Sequence, residues 1–329
     1  MTVPRVSILL LSWNTRDLTL ACLDSLPESV DDETTYEVIV VDNASGDGSA
    51  EALSERSEIA LVLNQENRGY APAVNQAYAR ARGDLILLLN SDATFALGGL
   101  SHLVQFLEDH PDAAGVGPLY LNPDGSLQLH HFRFPTFAMT LASGNALLMR
   151  LPFFRRQFDR YRMLDADFSQ PCVVPQPSAT CLLLRRVALE AGAVLDERYP
   201  IFFNDVALAR SLAERGWPLW MTPESVVYHE SSSSTRQLGS SLKQQYVASV
   251  VRYLDETEPR RHVRLYKSLV LAQGALLWLA RRPRALPPRQ LWAAARGEPG
   301  PIPQAPEAAR VRHDLQTMLD AGGARAPST

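Results

Sequence analysis

Five consecutive apolar residues, Leu85-Ile-Leu-Leu-Leu89, bounded by Asp84 on one side and Asn90-Ser-Asp92 on the other, constrain this chain more than any other stretch. A strand shows alternate residues to opposite faces, so an unbroken apolar run must be covered on both. The middle of a parallel sheet with helices on each side meets that condition. Polar residues that follow such a strand emerge at the carboxyl edge, where open α/β sheets bind ligands. A carboxylate held there by a rigid strand suits a divalent cation against a diphosphate. A polar turn closing a buried strand is the other reading of the same residues.

The surrounding sequence repeats the pattern. Strands are expected at Val6–Ser12, Tyr36–Asp42, Leu61–Leu63, Asp84–Asn90 and Ala179–Leu184, with two short ones at Pro218–Met221 and Ser225–His229. Helical spacing runs through Thr15–Leu26, Ala50–Arg56, Ala71–Ala81, Leu100–Glu108 and Asn204–Arg215, and a helix starts at Val187–Ala191. Strands alternating with helices imply βαβ units and a mainly parallel sheet. Residues 130–170, aromatic and arginine-rich with little periodicity, are expected to form an irregular excursion. Later, Leu242–Leu254 and His262–Ala280 have helical patterns, and Pro- and Gly-rich sequence follows from Gly297. The expected organisation is a catalytic α/β unit over 1–240, a basic helical extension over 241–296 and a disordered tail over 297–329.

Charge separates these parts. Pro259–Gly297 holds nine Arg or Lys residues and no acid, although the whole chain carries a net charge of −4. The acidic body is unsuited to nucleic acid, while the basic segment wants an anionic surface. Cys22, Cys172 and Cys181 lie far apart without CxxC spacing, which fits thiols in a reducing cytosol. The short apolar run after Met1–Arg5 reads as a first strand and not a signal peptide, and no stretch is apolar for long enough to span a bilayer.

Asp42 closes the second strand as Asp92 follows a later one, so two carboxylates reach the same sheet edge. Asp42 either accepts a hydrogen bond from a nucleobase imide N–H or caps the next turn. Between them lies Asn67-Arg-Gly69, where Gly69 allows backbone closed to other residues ahead of a helix N-terminus that can face anionic groups.

In this order the motifs resemble the inverting family-2 glycosyltransferases of GT-A fold, in their rhamnosyltransferase-like branch. They are Ser7-Ile-Leu-Leu-Leu-Ser-Trp-Asn-Thr15, Val41-Asp-Asn-Ala-Ser-Gly-Asp-Gly-Ser49, Asn67-Arg-Gly69, Asn75, Asn90-Ser-Asp92, Phe202-Phe-Asn-Asp-Val-Ala-Leu208 and Val226-Val-Tyr-His229. The resemblance covers about residues 3–235. It implies a GT-A (Rossmann-like) α/β fold, a nucleotide-diphosphate sugar donor and a glycan or lipid-linked acceptor at the cell surface. It places Ser12, Asn14, Asp42, Asn67, Gly69, Asn75 and Ser91 around the donor nucleotide. Asp92 and His229 would hold Mg²⁺ or Mn²⁺, and Ala179, Thr180 and Asn204 would face the acceptor. Asp205 would be the general base, taking the proton of an acceptor hydroxyl that attacks the anomeric carbon from the face opposite the leaving diphosphate. His229 also reads as a hydroxyl-bonded histidine ahead of Ser231–Ser234, and Asp205 as a helix cap.

Three departures bear on activity. Asn90 stands where the family's DxD element has its first acid, Asn204 and Ala207 replace acids flanking the base, and the acceptor element reads Pro177-Ser-Ala-Thr180. A catalytically weakened scaffold that binds nucleotide or glycan is therefore the competing expectation. A dinucleotide oxidoreductase is disfavoured because no GxGxxG joins the first strand to its helix. Leu265–Ala280, apolar with cationic flanks, suits an interfacial helix at an anionic membrane or a helix packed on the body. The expected place is the cytoplasm, peripheral at the inner face of the bacterial plasma membrane.

Overall fold

The computed structural model describes residues 3–143, 145, 147–189, 194–230, 240–280 and 285–305. Its strands and helices follow in chain order as β1 (Val6–Ser12), α1 (Arg16–Ser25), β2 (Tyr36–Asp42), α2 (Ser49–Ser54), β3 (Ile59–Leu63), α3 (Tyr70–Tyr78) and β4 (Leu85–Asn90). Then come β5 (Ala93–Phe95), α4 (Gly99–Asp109), β6 (Gly115–Leu121), β7 (His131–Phe132), α5 (Phe137–Ser143), α6 (Pro152–Tyr161), β8 (Cys172–Val173), β9 (Gln176–Pro177) and β10 (Cys181–Arg185). The chain continues with α7 (Asn204–Glu214), β11 (Leu219–His229), α8 (Ser240–Thr257), α9 (Arg260–Leu279) and α10 (Pro288–Ala295).

The apolar run is the middle of the sheet, as its composition requires. Strand order is β3-β2-β1-β4-β10-β6-β11-β5, with β8 added beside β11. The first four strands are parallel; β10 runs antiparallel between β4 and β6, and β6 is parallel to β11. Side chains alternate between two cores. Leu85, Leu87 and Leu89 join Ile8, Leu10, Val38 and Val40 under α1 and α4. Ile86 and Leu88 join Leu9, Ile39 and Val41 under α3 and α7. Each fully buried leucine is worth about 1.5–3 kcal/mol relative to exposure, so the register of β4 is firmly set.

The antiparallel strand is what builds the site. Because β10 runs against β4, its entry at Ser178–Thr180 meets the exit of β4, and Asn90 N donates to Thr180 O at 2.8 Å. On the far side β11 ends at His229, paired with Ala93 of β5. Strand exits and one strand entry thus converge at a single edge.

Several sequence expectations are revised. Residues 130–170 are not an irregular excursion: they hold β7, α5 and α6, tied down by Arg133 donating to both oxygens of Asp165. Helix α6 buries none of its residues fully, but Phe153, Phe154, Phe158 and Tyr161 fall on one side of it at helical spacing, a pattern set among arginines. The two short strands near 218–229 are one strand, β11, with a register shift between Thr222 and Val226 that follows Pro223. The helix expected at Val187 is a single 3₁₀ turn, Arg186–Ala188, and residues 190–191 lie outside the described residues. Helix α10 was not anticipated, because proline at its start masks the short pattern.

Helices α8, α9 and α10 share a third core (Val247, Val250, Val251, Leu254, Val263, Ala294) with Tyr199 and Val206, so they pack against the start of α7. The expected disordered tail is also revised: residues 297–305 lie against α8 and the loop after β3 through hydrogen bonds, and 306–329 are outside the described residues.

Candidate active site

A cavity of about 450 Å³ opens at this edge. Leu11 near the end of β1, Trp13 just after it, Asn43 after β2, Asn67 and Gly69 before α3 and Tyr70 at its start form one wall. Asn90, Ser91, Asp92 and His229 form the floor. Ser178–Thr180, His130 and the turn Ile201–Asp205 form the opposite wall.

At the floor, Asp92 Oδ1 and His229 Nε2 are 3.5 Å apart and both side chains are nearly buried. The hydrogen bond behind His229 fixes what its ring presents. Gln128 Nε2 donates to Asn122 Oδ1 and to His229 O, so Gln128 Oε1 faces His229 Nδ1 at 2.6 Å. An amide oxygen only accepts, so Nδ1 carries a proton and Nε2 is the ring atom that faces Asp92. Asn90 Oδ1 adds another electron-pair donor at the floor: it is buried without a hydrogen-bond partner, while its Nδ2 donates to Thr180 Oγ1 at 3.3 Å. Among the described residues, no group of three or more His, Cys, Asp or Glu could hold a metal ion. The set Asp92, His229 and Asn90 therefore fits a hard divalent cation that takes its remaining ligands from a bound diphosphate.

On the opposite wall, Asp205 sits at the first turn of α7. Burial pushes its carboxyl up to about 6, against the hydrogen bond from Val206 N, which pulls it down. Gln176 Nε2 donates to Asp205 Oδ2 at 2.9 Å. A carboxyl near 6 is a competent proton acceptor at neutral pH. The residue before α7, Phe203, has φ 68°, a conformation costly for a bulky side chain and one that aims the helix start into the cavity. Beside it lies a smaller, aromatic recess of about 130 Å³, which Phe132, Tyr161, Phe202, Phe203, Tyr246 and Asp205 line.

The sequence-selected residues divide into two groups. Asn67, Gly69, Ser91, Asp92, Ala179, Thr180, Asn204, Asp205 and His229 all line the main cavity. Ser12, Asn14, Asp42 and Asn75 stand behind it. Ser12 is buried in a hydroxyl chain that runs through Thr19 and Thr15 to Ser91. Asn14 Oδ1 accepts from Gly46 N at 2.7 Å. The Asp42 carboxylate, fully buried, accepts from the backbone N–H and hydroxyl of Ser45, so a nucleobase reaches it only if that turn opens. Asn75 clamps residues 194–195 through its amide, accepting from Val194 N and Leu195 N and donating to Leu195 O. Asn204 donates to Ile201 O at 2.8 Å, holding the turn that carries Phe202 and Phe203.

Other residues escaped sequence reasoning. Trp13 and Tyr70 were inside or beside quoted motifs; Trp13 Nε1 is a second buried atom on the wall without a partner. Asp205 and Asp92 both act on the Tyr70 hydroxyl, which is raised first by burial and then by their charges. His130 accepts or donates at Thr180 Oγ1, 3.0 Å away, and burial drives its pKa down to about 3, so it is neutral. His130 and Gln176 fall in stretches without periodicity and had no signal.

Residues 7–192 match the sequence profile described as Glycosyl transferase family 2. The chain belongs to that family. This family 2 glycosyltransferase is 29% identical over 217 residues to N-acetylglucosaminyl-diphospho-decaprenol L-rhamnosyltransferase of Mycobacterium tuberculosis, covering 62% of this chain and 69% of the relative. The rhamnosyltransferase-like resemblance read from the motifs is thereby borne out. It is also 27% identical over 247 residues to the O-antigen biosynthesis protein RfbC of Myxococcus xanthus, covering 71% of this chain but 18% of that longer protein. Among solved structures, the mannosyltransferase PcManGT of Pyrobaculum calidifontis, in complex with GDP-Man and Mn²⁺, superposes with a TM-score of 0.51 at 19% identity, over 98% of this chain and 81% of its own. GalNAc-T7 with UDP, GalNAc and Mn²⁺ gives 0.52 at 16% identity, over 76% and 48%. Both similarities show the GT-A fold.

Proposed function

We propose that this glycosyltransferase moves a sugar, rhamnose or another hexose, from a nucleoside diphosphate to a hydroxyl of a glycan or lipid-linked acceptor, with inversion. One observation carries the reading: a carboxyl raised to about 6, Asp205, and a buried Asp92–His229 pair 3.5 Å apart line one cavity, the pair on its floor and the carboxyl on a wall. Inversion needs base and leaving group on opposite faces of the anomeric carbon, which two separate acidic groups in one cavity can serve.

Asp92, His229 and Asn90 would hold a divalent cation, Mg²⁺ or Mn²⁺. Bound there, it would offset charge on the departing diphosphate. Trp13 Nε1 supplies a donor on the nucleotide side. On the acceptor side Asp205 takes the hydroxyl proton onto its carboxylate, while Gln176 holds the other oxygen. The aromatic recess beside Asp205 gives the flat, apolar surface on which a sugar ring or isoprenoid stem rests. The decaprenol-linked substrate named for the mycobacterial relative agrees with such an acceptor.

The outer face of α9 supports contact with an anionic membrane. Leu265, Leu269, Leu276 and Leu279, spaced four, seven and three residues apart, are exposed in one stripe with Trp278 nearby, and Arg260, Arg261 and Arg264 are exposed at its start. Arg281, Arg282 and Arg284 lie outside the described residues. No described helix is long and apolar enough to cross a membrane. We place the protein in the cytoplasm, at the inner membrane face.

A screen of nucleotide sugars with and without Mn²⁺, read by thermal shift and donor turnover, tests the function. Metal-dependent stabilisation with turnover lost in Asp205→Asn is expected. Metal-dependent binding with no turnover of any donor would favour the scaffold reading.

A further inference from the structure

The wall of the cavity at Asn67–Gly69 is completed by a segment 237 residues later in the chain. Asn67 N donates to Gln304 Oε1 at 2.7 Å, and Gln304 Nε2 donates back to Asn67 O at 2.9 Å. Asn67 Nδ2 donates to Pro303 O at 2.9 Å. Ile302 lies over Gly69, its Cδ1 3.4 Å from where a Cβ there would be. The other end of this strap is fastened to α8, where Gln245 Nε2 donates to Gly300 O and Arg252 to Gly297 O.

Inside the cavity, the same asparagine uses its remaining oxygen. Asn67 Oδ1 accepts from Asn43 Nδ2 at 2.6 Å and from Gly69 N at 2.9 Å, and Asn43 Oδ1 accepts from Arg68 N at 3.1 Å. Asn43, Asn67 and Gly69 all face the cavity. The loop is therefore held from within by Asn43 and from without by Gln304. Gly69, at φ 88°, leaves no room for a side chain: a Cβ there would lie 2.9 Å from Pro200 O.

We propose that Gln304 is a positioning residue for the donor: its carboxamide, paired with the main chain of Asn67, holds the nucleotide-side wall in the shape that binds a nucleoside diphosphate. This rests on the reading of the cavity as a nucleotide-sugar site. The residue touches no substrate; it acts through Asn67. A carboxamide is the one side-chain group that offers an acceptor and a donor side by side to a peptide N–H and C=O. Glutamate in its place keeps the acceptor but sets a carboxylate oxygen against the Asn67 carbonyl.

The test uses the full-length protein and calorimetric titration with UDP, dTDP and GDP in the presence of Mn²⁺. For whichever nucleotide wild type binds best, Gln304→Ala is expected to weaken binding about five-fold, from two partly exposed hydrogen bonds. Gln304→Glu should weaken it at least as much, although it fills the same space. In turnover, the donor KM rises in both variants while kcat and the acceptor KM stay within about two-fold, and the melting temperature is unchanged. Wild-type affinity in both variants would overturn the inference alone, as would full rescue by Gln304→Glu, which would make the side chain a mere filler. Failure of wild type to bind any of the three nucleotides would take down the functional reading and this inference together.

Discussion

The floor and the acceptor wall of the cavity are built in opposite ways. The floor, Asn90 to Asp92 with His229, continues β4 in the middle of the sheet and β11 beside the edge strand β5, and Leu85–Leu89 of β4 behind it are buried. The acceptor wall is assembled from Gln176, the 199–203 turn, α7 and the aromatic residues of 130–161, pieces far apart in sequence with part of their surface open. Under the proposed function, a cation and a diphosphate, which have fixed geometry, would be served by rigid strand ends, and a variable acceptor by elements that can be exchanged without unmaking the sheet. Substitutions on the floor should damage binding and chemistry together, and those on the acceptor wall should separate them.

The largest effect is expected at the base. Asp205→Asn should lower kcat by about 10³-fold with donor affinity retained. The same change should stabilise the protein. Burial raises the Asp205 carboxyl to about 6 from near 4 when unfolded, so the favourable contribution present below pH ~4 is lost as pH rises through about 6. Removing the charge returns up to about 3 kcal/mol above that range, visible as a higher melting temperature at pH 8 and none at pH 4. Gln176, whose Oε1 has no partner, can turn its amide over to meet the new one. Equal melting temperatures at pH 8 would deny the buried charge.

Next comes the floor. Asp92→Ala should remove the metal-dependent part of nucleotide binding, measured as loss of the Mn²⁺-induced thermal shift. Behind it, Gln128→Ala frees the tautomer of His229 and should weaken Mn²⁺ activation by about 10- to 100-fold, the usual cost of removing a ligand's own support. An unchanged Mn²⁺ titration would show that the Gln128–His229 contact is merely structural. The smallest catalytic effect belongs outside both regions. Leu269→Glu with Leu276→Glu, on the exposed stripe of α9, should reduce pelleting with anionic liposomes while leaving turnover of a water-soluble acceptor intact. Undiminished pelleting would sink the membrane reading.

The same contrast governs what the sequence disclosed. β4 was legible because five apolar residues in a row admit few environments, and Asp92 because it follows a strand of fixed register. Asp205 was legible through its motif, and its elevated pKa was not, since that comes from burial under side chains such as those of the 130–161 segment. The aromatic stripe of α6, Phe153, Phe154, Phe158 and Tyr161, was present in the sequence but passed over among its arginines, whereas Gln176 and His130 sit where no period marks them. Asn75 looked like a donor ligand because it belongs to a motif, but the structure gives its amide to residues 194–195. Gln304 was hidden for a topological reason: only the path of α8 to α10 brings a proline-rich stretch back to the loop after β3.

The pH dependence of kcat/KM for donor turnover tests the pairing of Asp205 with the Asp92–His229 floor most directly. It should rise about ten-fold per pH unit below 6 and level above, with that rising limb gone from the residual activity of Asp205→Asn. A profile flat from pH 5 to 8, or a limb that survives the substitution, would contradict the assignment of Asp205 as the base.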